Sequence, residues 1–146
     1  MGSFFTNVQV FAGTAPRGRE DEIHGAIVAS LRADAKAKGL SAASADEQAD
    51  RTIFVGPPGR WISVYDEASE SQSLDVLDEL AGTLSRATGC PTLGILVHDS
   101  DVLILRLFEA GELRDAYNSQ PAYFGGGGAD LKDRLRSLRG ARPGRR

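Results

Sequence analysis

Residues 92–117 read TLGILVHDSDVLILRLFEAGELRDAY, and this stretch decides the fold. It contains three runs of mostly apolar residues, Leu93–Val97, Val102–Phe108 and Leu113–Tyr117, joined by the short connections His98–Asp101 and Glu109–Glu112. Connections of this length join antiparallel neighbours, because a parallel pair needs a crossover of a dozen or more residues. The stretch therefore predicts a β-meander.

The middle run of the meander is apolar on both of its faces. Val102 and Ile104 alternate with a second apolar set, which is Leu103, Leu105 and Leu107. A strand covered on both faces is expected at the centre of its sheet. Arg106 is the exception within this run. We expect the helices to cover one face, and a loop, a C-terminal helix or a second subunit to cover the other.

Two amphipathic patterns upstream of the meander predict helices. The first begins with the acidic turn after Arg19 and ends at Gly39, and its apolar face is Ile23, Ile27, Val28, Leu31 and Ala35. The second ends at Gly89, and its apolar stripe is Leu74, Leu77, Leu80, Ala81 and Leu84. Ser69 and Gln72 have the spacing of a capping box for this second helix.

Three further strands are predicted before the meander. Alternation from Phe4 to Phe11 is typical of a half-buried strand, and Arg51–Val55 and Trp61–Tyr65 flank the proline-containing turn Gly56–Gly59. The element order is then βαββαβββ, whose first six elements match the ferredoxin-like, split βαβ order. We predict an α+β domain with an antiparallel, ferredoxin-like or related sheet and two helices on one face. The pattern leaves open whether the first strand lies at the edge or the centre of the sheet.

The charge distribution separates a body from a tail. Residues 129–146 hold seven basic and two acidic residues, a net charge of +5, whereas residues 1–128 carry −8. We interpret residues 1–124 as one α+β domain and Gly125–Gly128 as a hinge. A short basic helix over Ala129–Arg139 and a disordered segment over Gly140–Arg146 follow. Such a split can mark an arm that binds a partner.

Composition limits the class of protein and its compartment. The chain has 146 residues, of which 41% are apolar, and Cys90 is its only cysteine, so no intramolecular disulfide can form. A lone cysteine fits a reducing compartment. The N-terminal sequence lacks the pattern of a signal peptide, and the apolar runs are too short to cross a membrane. We expect a cytoplasmic protein, and the scarcity of lysine is typical of GC-rich bacterial genomes.

One cluster could support catalysis. His98, Asp99 and Asp101 lie together at the tip of the first meander hairpin, and a carboxylate beside an imidazole can make it a general base. The alternative interpretation is that these residues are present because tight turns favour aspartate and serine. One histidine with two adjacent acids is a sparse ligand set, so we predict no metal and no cofactor.

Aromatic and arginine side chains could bind a ligand or a protein partner. The candidates are Trp61, Tyr65, Arg106, Tyr117, Tyr123 and Phe124. Trp61 and Tyr65 fall on one face of an alternating strand, where they either line a site or pack the sheet. Tyr123 and Phe124 directly precede the glycine hinge, where exposed aromatic rings would form a patch for a partner.

Three functions are compatible with these features. The first is a small non-catalytic interaction or ligand-sensing domain that binds a protein partner or itself as a homodimer. The second is a small enzyme that uses His98 as its general base, with Asp99 or Asp101. The third is weak nucleic-acid binding by Arg134, Arg136 and Arg139 of the tail, although the acidic body would repel a polyanion.

Overall fold

A computed structural model describes residues 2–44 and 47–122, and it confirms the α+β class. This part of the chain contains two α-helices and six strands in the predicted βαββαβββ order. The strands are β1 Phe5–Phe11, β2 Ile53–Val55, β3 Trp61–Asp66, β4 Thr92–His98, β5 Val102–Glu109 and β6 Glu112–Asn118. The helices are α1 Glu20–Ala37 and α2 Leu74–Thr88, and two short 3-10 helices span Ala12–Thr14 and Glu67–Ser71.

The six strands form one antiparallel sheet in the order β2-β3-β1-β4-β5-β6. The first strand of the chain is therefore central: Val8 pairs with Val64 on one side and with Gly94 on the other. The C-terminal β4-β5-β6 meander is confirmed. The strand order is partly consistent with the predicted ferredoxin-like arrangement, and β5 and β6 extend the sheet beyond β4.

The prediction that the middle run of the meander lies at the centre of the sheet is wrong. This run forms β5, which lies between β4 and the edge strand β6. Its apolar residues on two faces indicated an interior strand, and β5 is interior. The centre belongs to β1 and β4, because β1 inserts between β3 and β4 by pairing across long sequence separations that no local pattern reveals.

Both helices pack on one face of the sheet and build the hydrophobic core there. Alternate residues of the strands, such as Val8, Val64 and Leu96, contact the buried stripes of the helices. Leu77, Ala81 and Leu84 are the fully buried members of the α2 stripe, as the sequence predicted. This leaves the second face of the sheet without a helix in the described part of the chain.

The start of α2 differs from the predicted capping box. Ser73 is the N-cap, and its side chain accepts a hydrogen bond from the Val76 amide. Ser69 lies earlier, in the 3-10 helix, where it is fully buried and its hydroxyl is hydrogen-bonded to Thr6 and to the Asp66 carbonyl. The spacing of Ser69 and Gln72 therefore does not mark the start of α2, because hydrogen bonds hold Ser69 in the core.

Candidate interaction surface

The sheet face turned away from the helices is the most distinctive surface of the protein, and we call it the open face. Side chains alternate between the two faces of a strand, so the register assigns each residue to one of them. The apolar residues of the open face are Phe5, Phe11, Phe54, Trp61, Tyr65, Leu93, Ile95, Val97, Leu103, Leu105, Leu107 and Tyr117.

Aromatic rings cover one half of the open face, on β1, β2 and β3. Phe54 is 61% exposed, Trp61 53% and Tyr65 47%. Neighbouring rings contact each other, with centroids 4.5 Å apart between Phe11 and Trp61 and 6.2 Å between Phe54 and Tyr65. The rings thus form two separate pairs near the two ends of β3, and Phe54, Trp61 and Tyr65 are each about half exposed to solvent.

Aliphatic side chains cover the other half of the open face, on β4 and β5. In the β4–β5 register Leu93 lies opposite Leu107, and Ile95 lies opposite Leu105. Tyr117 follows on β6 and is 53% exposed. This explains the two-faced apolar pattern of β5, because its second apolar face belongs to the open face.

A small hydrogen-bonded group interrupts the apolar side chains near the centre. Ser63 donates from its hydroxyl to Oε1 of Gln9 at 2.9 Å, and Nε2 of Gln9 donates to Oδ1 of Asn7 at 3.1 Å. These polar groups satisfy one another, so covering them requires less compensation than covering unpaired groups would.

Charged side chains on the open face are confined, within the described strands, to one corner where β5 meets β6. This acidic corner consists of Glu109, Glu112, Arg114 and Asp115. Nη1 of Arg114 lies 3.3 Å from Oε2 of Glu112, and Nε of Arg114 lies 3.8 Å from Oε2 of Glu109. All three side chains are exposed. The rest of the open face is electrically neutral.

The helix side of the sheet carries a buried ion-pair network. The Arg51 guanidinium donates to both carboxylate oxygens of Asp66 and, at 2.8 Å, to Oδ2 of Asp34. The side chains of Arg51 and Asp66 are only 8% and 2% exposed. Burial would raise the pKa of the Asp34 carboxyl, but hydrogen bonds from Arg51 and Lys38 outweigh it and hold that pKa below its ordinary value.

Arg106 lies on the helix side and not with the aromatic candidates. Its guanidinium forms a two-pronged ion pair with Asp78 of α2, with distances of 2.8 and 2.5 Å. The pair joins β5 to α2. Of the predicted ligand- or partner-binding residues, the structure therefore brings Trp61, Tyr65 and Tyr117 onto one face and separates Arg106 from them.

The candidate catalytic cluster lies at the β4–β5 turn. Asp99 and Ser100 both have positive φ, and the Asp101 amide donates to the His98 carbonyl, which is the geometry of a tight hairpin turn. The His98 ring points to the helix side, where Nδ1 lies 3.2 Å from Oε1 of Gln72 and the ring packs edge-on against Phe4. The turn geometry itself accounts for an aspartate and a serine at these positions.

The remaining predicted residues lie outside the described part of the chain. They are Tyr123, Phe124, Arg134, Arg136 and Arg139, together with the hinge, the basic helix and the disordered segment of the tail. Their roles therefore stay predictions.

The sequence predicts only part of the open face: Trp61, Tyr65 and Tyr117 as candidates, and Leu103, Leu105 and Leu107 as the second apolar set of the middle run. Phe5 and Phe54 are exposed there, yet neither was singled out, although Phe5 and Phe11 share one side of the alternating first strand. Phe5 and Phe54 could have been found by counting the strands in which the residues of both faces are apolar. Several such strands in one sheet indicate an uncovered face.

Comparisons with protein-family models, curated proteins and solved structures found no match. Within residues 2–44 and 47–122, no helix is both long and apolar enough to span a membrane. The same part of the chain contains no group of three or more histidine, cysteine or acidic residues placed to hold a metal ion.

Proposed function

We propose that this protein is a non-catalytic interaction domain that binds a protein partner through its open face. The observation that carries the proposal is the size of this apolar surface. Six strands have five spacings of about 4.8 Å between them, and an average strand length of about six residues at about 3.4 Å per residue then gives a flat area of about 500 Å². Contiguous apolar patches of this size are at the upper end for a monomer and often mark interaction sites.

The composition of the open face supports binding to a protein. Tryptophan, tyrosine and other aromatic residues are enriched at protein interfaces and supply most of their binding energy, whereas charged residues are depleted at interface centres. Trp61, Tyr65 and Tyr117 are of this kind. The charges of the open face are restricted to the acidic corner, so its centre can be covered without leaving a charge unpaired.

The edges of the sheet do not favour binding by strand addition. The edge strand β2 has only three residues and is followed by Pro57 and Pro58, which cannot donate to a ladder. The other edge strand, β6, carries charged residues and a β-bulge against β5. Short, charged and bulged edges discourage pairing with another chain, so a partner is expected on the face of the sheet.

A site-specific photo-crosslinker tests this proposal. A benzophenone amino acid replaces Tyr65 on the open face or, as the matched control, exposed Ala29 on α1. After irradiation in the source cells, we expect a protein adduct of discrete mass from position 65 and none from position 29. The absence of an adduct at position 65, or equal labelling at the two positions, contradicts the proposal.

A further inference from the structure

We propose that the partner of the open face is a second copy of this chain, bound face to face in a symmetric dimer. This inference rests on the proposed function and names its partner. Three features support it: the area of the open face, the arrangement that a twofold axis gives to its two halves, and the position of Arg60 relative to the acidic corner.

The area of the open face matches what a stable dimer needs. A standard interface buries about 800 Å² of accessible surface on each partner. The flat area of about 500 Å² corresponds to a larger accessible surface, because aromatic and leucine side chains project from the sheet. One further sheet of equal size covers this surface completely, as in a β-sandwich whose two layers pack about 10 Å apart.

Residues 123–146 cannot supply an equivalent cover. Beyond Ala122 the sequence has only five large apolar side chains: Tyr123, Phe124, Leu131, Leu135 and Leu138. The open face, by comparison, presents twelve apolar side chains. A segment with so few apolar groups and seven basic residues would leave most of the open face in contact with water, whereas a second copy supplies twelve apolar side chains of its own.

The open face is complementary to itself about an axis that runs parallel to the strands between β1 and β4. This axis lies at the middle of the six-stranded sheet. It places β3 of one copy on β5 of the other, and β2 on β6, so Tyr65 of β3 covers the strand that carries Leu103, Leu105 and Leu107. At the level of Tyr65 in the register, Tyr65 faces Leu105 of the second copy and Phe54 faces Tyr117. The Tyr65 ring then meets a smaller leucine side chain, which lets the two layers interdigitate, and the rings of Phe54 and Tyr117 meet each other near the edge of the sheet.

The same axis gives the acidic corner a partner of opposite charge. The corner lies at the end of the sheet where β5 stops, and β3 begins at this end with Trp61. Exposed Arg60 directly precedes Trp61. In the dimer, Trp61 of each copy is level with Glu109 of the other, and Arg60, one residue further out, lies at the rim beside the corner that contains Glu109 and Glu112. Opposite charges at the rim favour this orientation over one that stacks the two acidic corners.

Light scattering on the full chain over a concentration series tests the dimer. We expect the mass to rise from one to two copies. Tyr65→Arg and Tyr117→Arg, which alter opposite halves of the open face at exposed positions, should each weaken association at least about a hundredfold, because a twofold interface contains every substitution twice. Ala29→Arg on α1 is the matched control and should dimerise like the unmodified chain. Far-UV circular dichroism checks that each variant is folded.

Trp61 provides a second readout because it is the only tryptophan in the chain. Acrylamide quenching of its fluorescence should fall several-fold as the dimer forms, and it should stay high in Tyr117→Arg at every concentration. A variant of the full chain with Leu131→Ser, Leu135→Ser and Leu138→Ser should dimerise normally. If that variant is monomeric, the tail mediates association, and the face-to-face arrangement is overturned.

The remaining outcomes separate this inference from the proposed function. A full chain that is monomeric at every concentration overturns the second copy as partner, as does a dimer that neither face variant weakens. If position 65 still crosslinks to a different protein in either case, the proposed function stands and only the inference fails. If position 65 gives no adduct, both fail.

Discussion

Replacing Arg51 with methionine should lower the free energy of unfolding by about 3–5 kcal/mol at neutral pH. Arg51 donates two hydrogen bonds to Asp66 and one to Asp34, and methionine occupies much of the same space without a charge. The Asp66 side chain is almost completely buried, so water cannot replace the lost cation. The substitution therefore leaves a carboxylate in the core without its counter-ion.

Asp66 sets the magnitude of this effect. A hydrogen bond to a charged group contributes about 1.5–3 kcal/mol, and Asp66 loses two of them. It keeps the bond from the Ala68 amide, which limits the loss. Asp34 is 26% exposed and retains Lys38 at 3.0 Å, so its contribution is small. Together these terms give the range of about 3–5 kcal/mol that is typical of breaking a buried ion pair.

Urea unfolding at a fixed protein concentration measures the effect, and its pH dependence is a further check. In the unmodified protein burial opposes the charged form of Asp34, but hydrogen bonds from Arg51 and Lys38 hold the pKa of its carboxyl below the ordinary value. A depressed folded pKa stabilises the protein above the unfolded pKa, and this stabilisation is lost as the pH falls through the folded pKa. Arg51→Met removes part of this stabilisation, so the difference in stability between the unmodified protein and the variant should shrink as the pH falls.

Lys38→Met is the matched control, because it removes an exposed cation from the same network. It should cost no more than about 0.5 kcal/mol, as is usual for surface ion pairs. A difference of less than about 1 kcal/mol between Arg51→Met and Lys38→Met would refute the argument that burial of Asp66 sets the magnitude.

Three further substitutions test other parts of the structure. Gly94→Ala should destabilise by about 1–2 kcal/mol in urea unfolding, because a Cβ at this position lies 3.1 Å from Cγ of Leu77 in the core. Gly111→Ala should lower the thermal midpoint through a loss of about 1–2 kcal/mol, since Gly111 has a φ of +81°. His98→Ala should cost about 1 kcal/mol by removing the contact with Gln72, and light scattering should show unchanged self-association. A loss of association in His98→Ala would contradict the assignment of binding to the open face.

Local patterns predicted the elements of this fold but not the neighbours of β1. The leucine stripe of α2 and the short turns of the meander are properties of adjacent residues, so the sequence reveals them directly. The position of β1 depends on pairs such as Val8 with Val64 and Phe5 with Val97, which are far apart in the chain. Pairing between strands that are far apart in the chain leaves no periodic signal in the sequence. The pattern therefore predicts β5 at the centre of the sheet, where the structure has β1 and β4.

The candidate surface was predictable only in part for the same reason. Trp61 and Tyr65 share a face by simple alternation within one strand. That Tyr117 joins them depends on the β5–β6 register, which contains a bulge next to Leu107. Arg106 is a candidate by sequence because it interrupts an apolar run, yet its partner Asp78 lies on α2, and a pattern within one strand does not predict that contact.

The central position of β1 also has a consequence for the synthesis of the protein. Of the six described strands β1 leaves the ribosome first, but β4, one of its two neighbours, is completed only at His98. At about 5–20 residues per second, β1 waits roughly 5–20 s for that neighbour. During this time Val8 and Val10, which are fully buried in the finished protein, have no complete sheet to join. During synthesis β1 is therefore an apolar strand without its partners, and such a segment is prone to aggregation until β4 is complete.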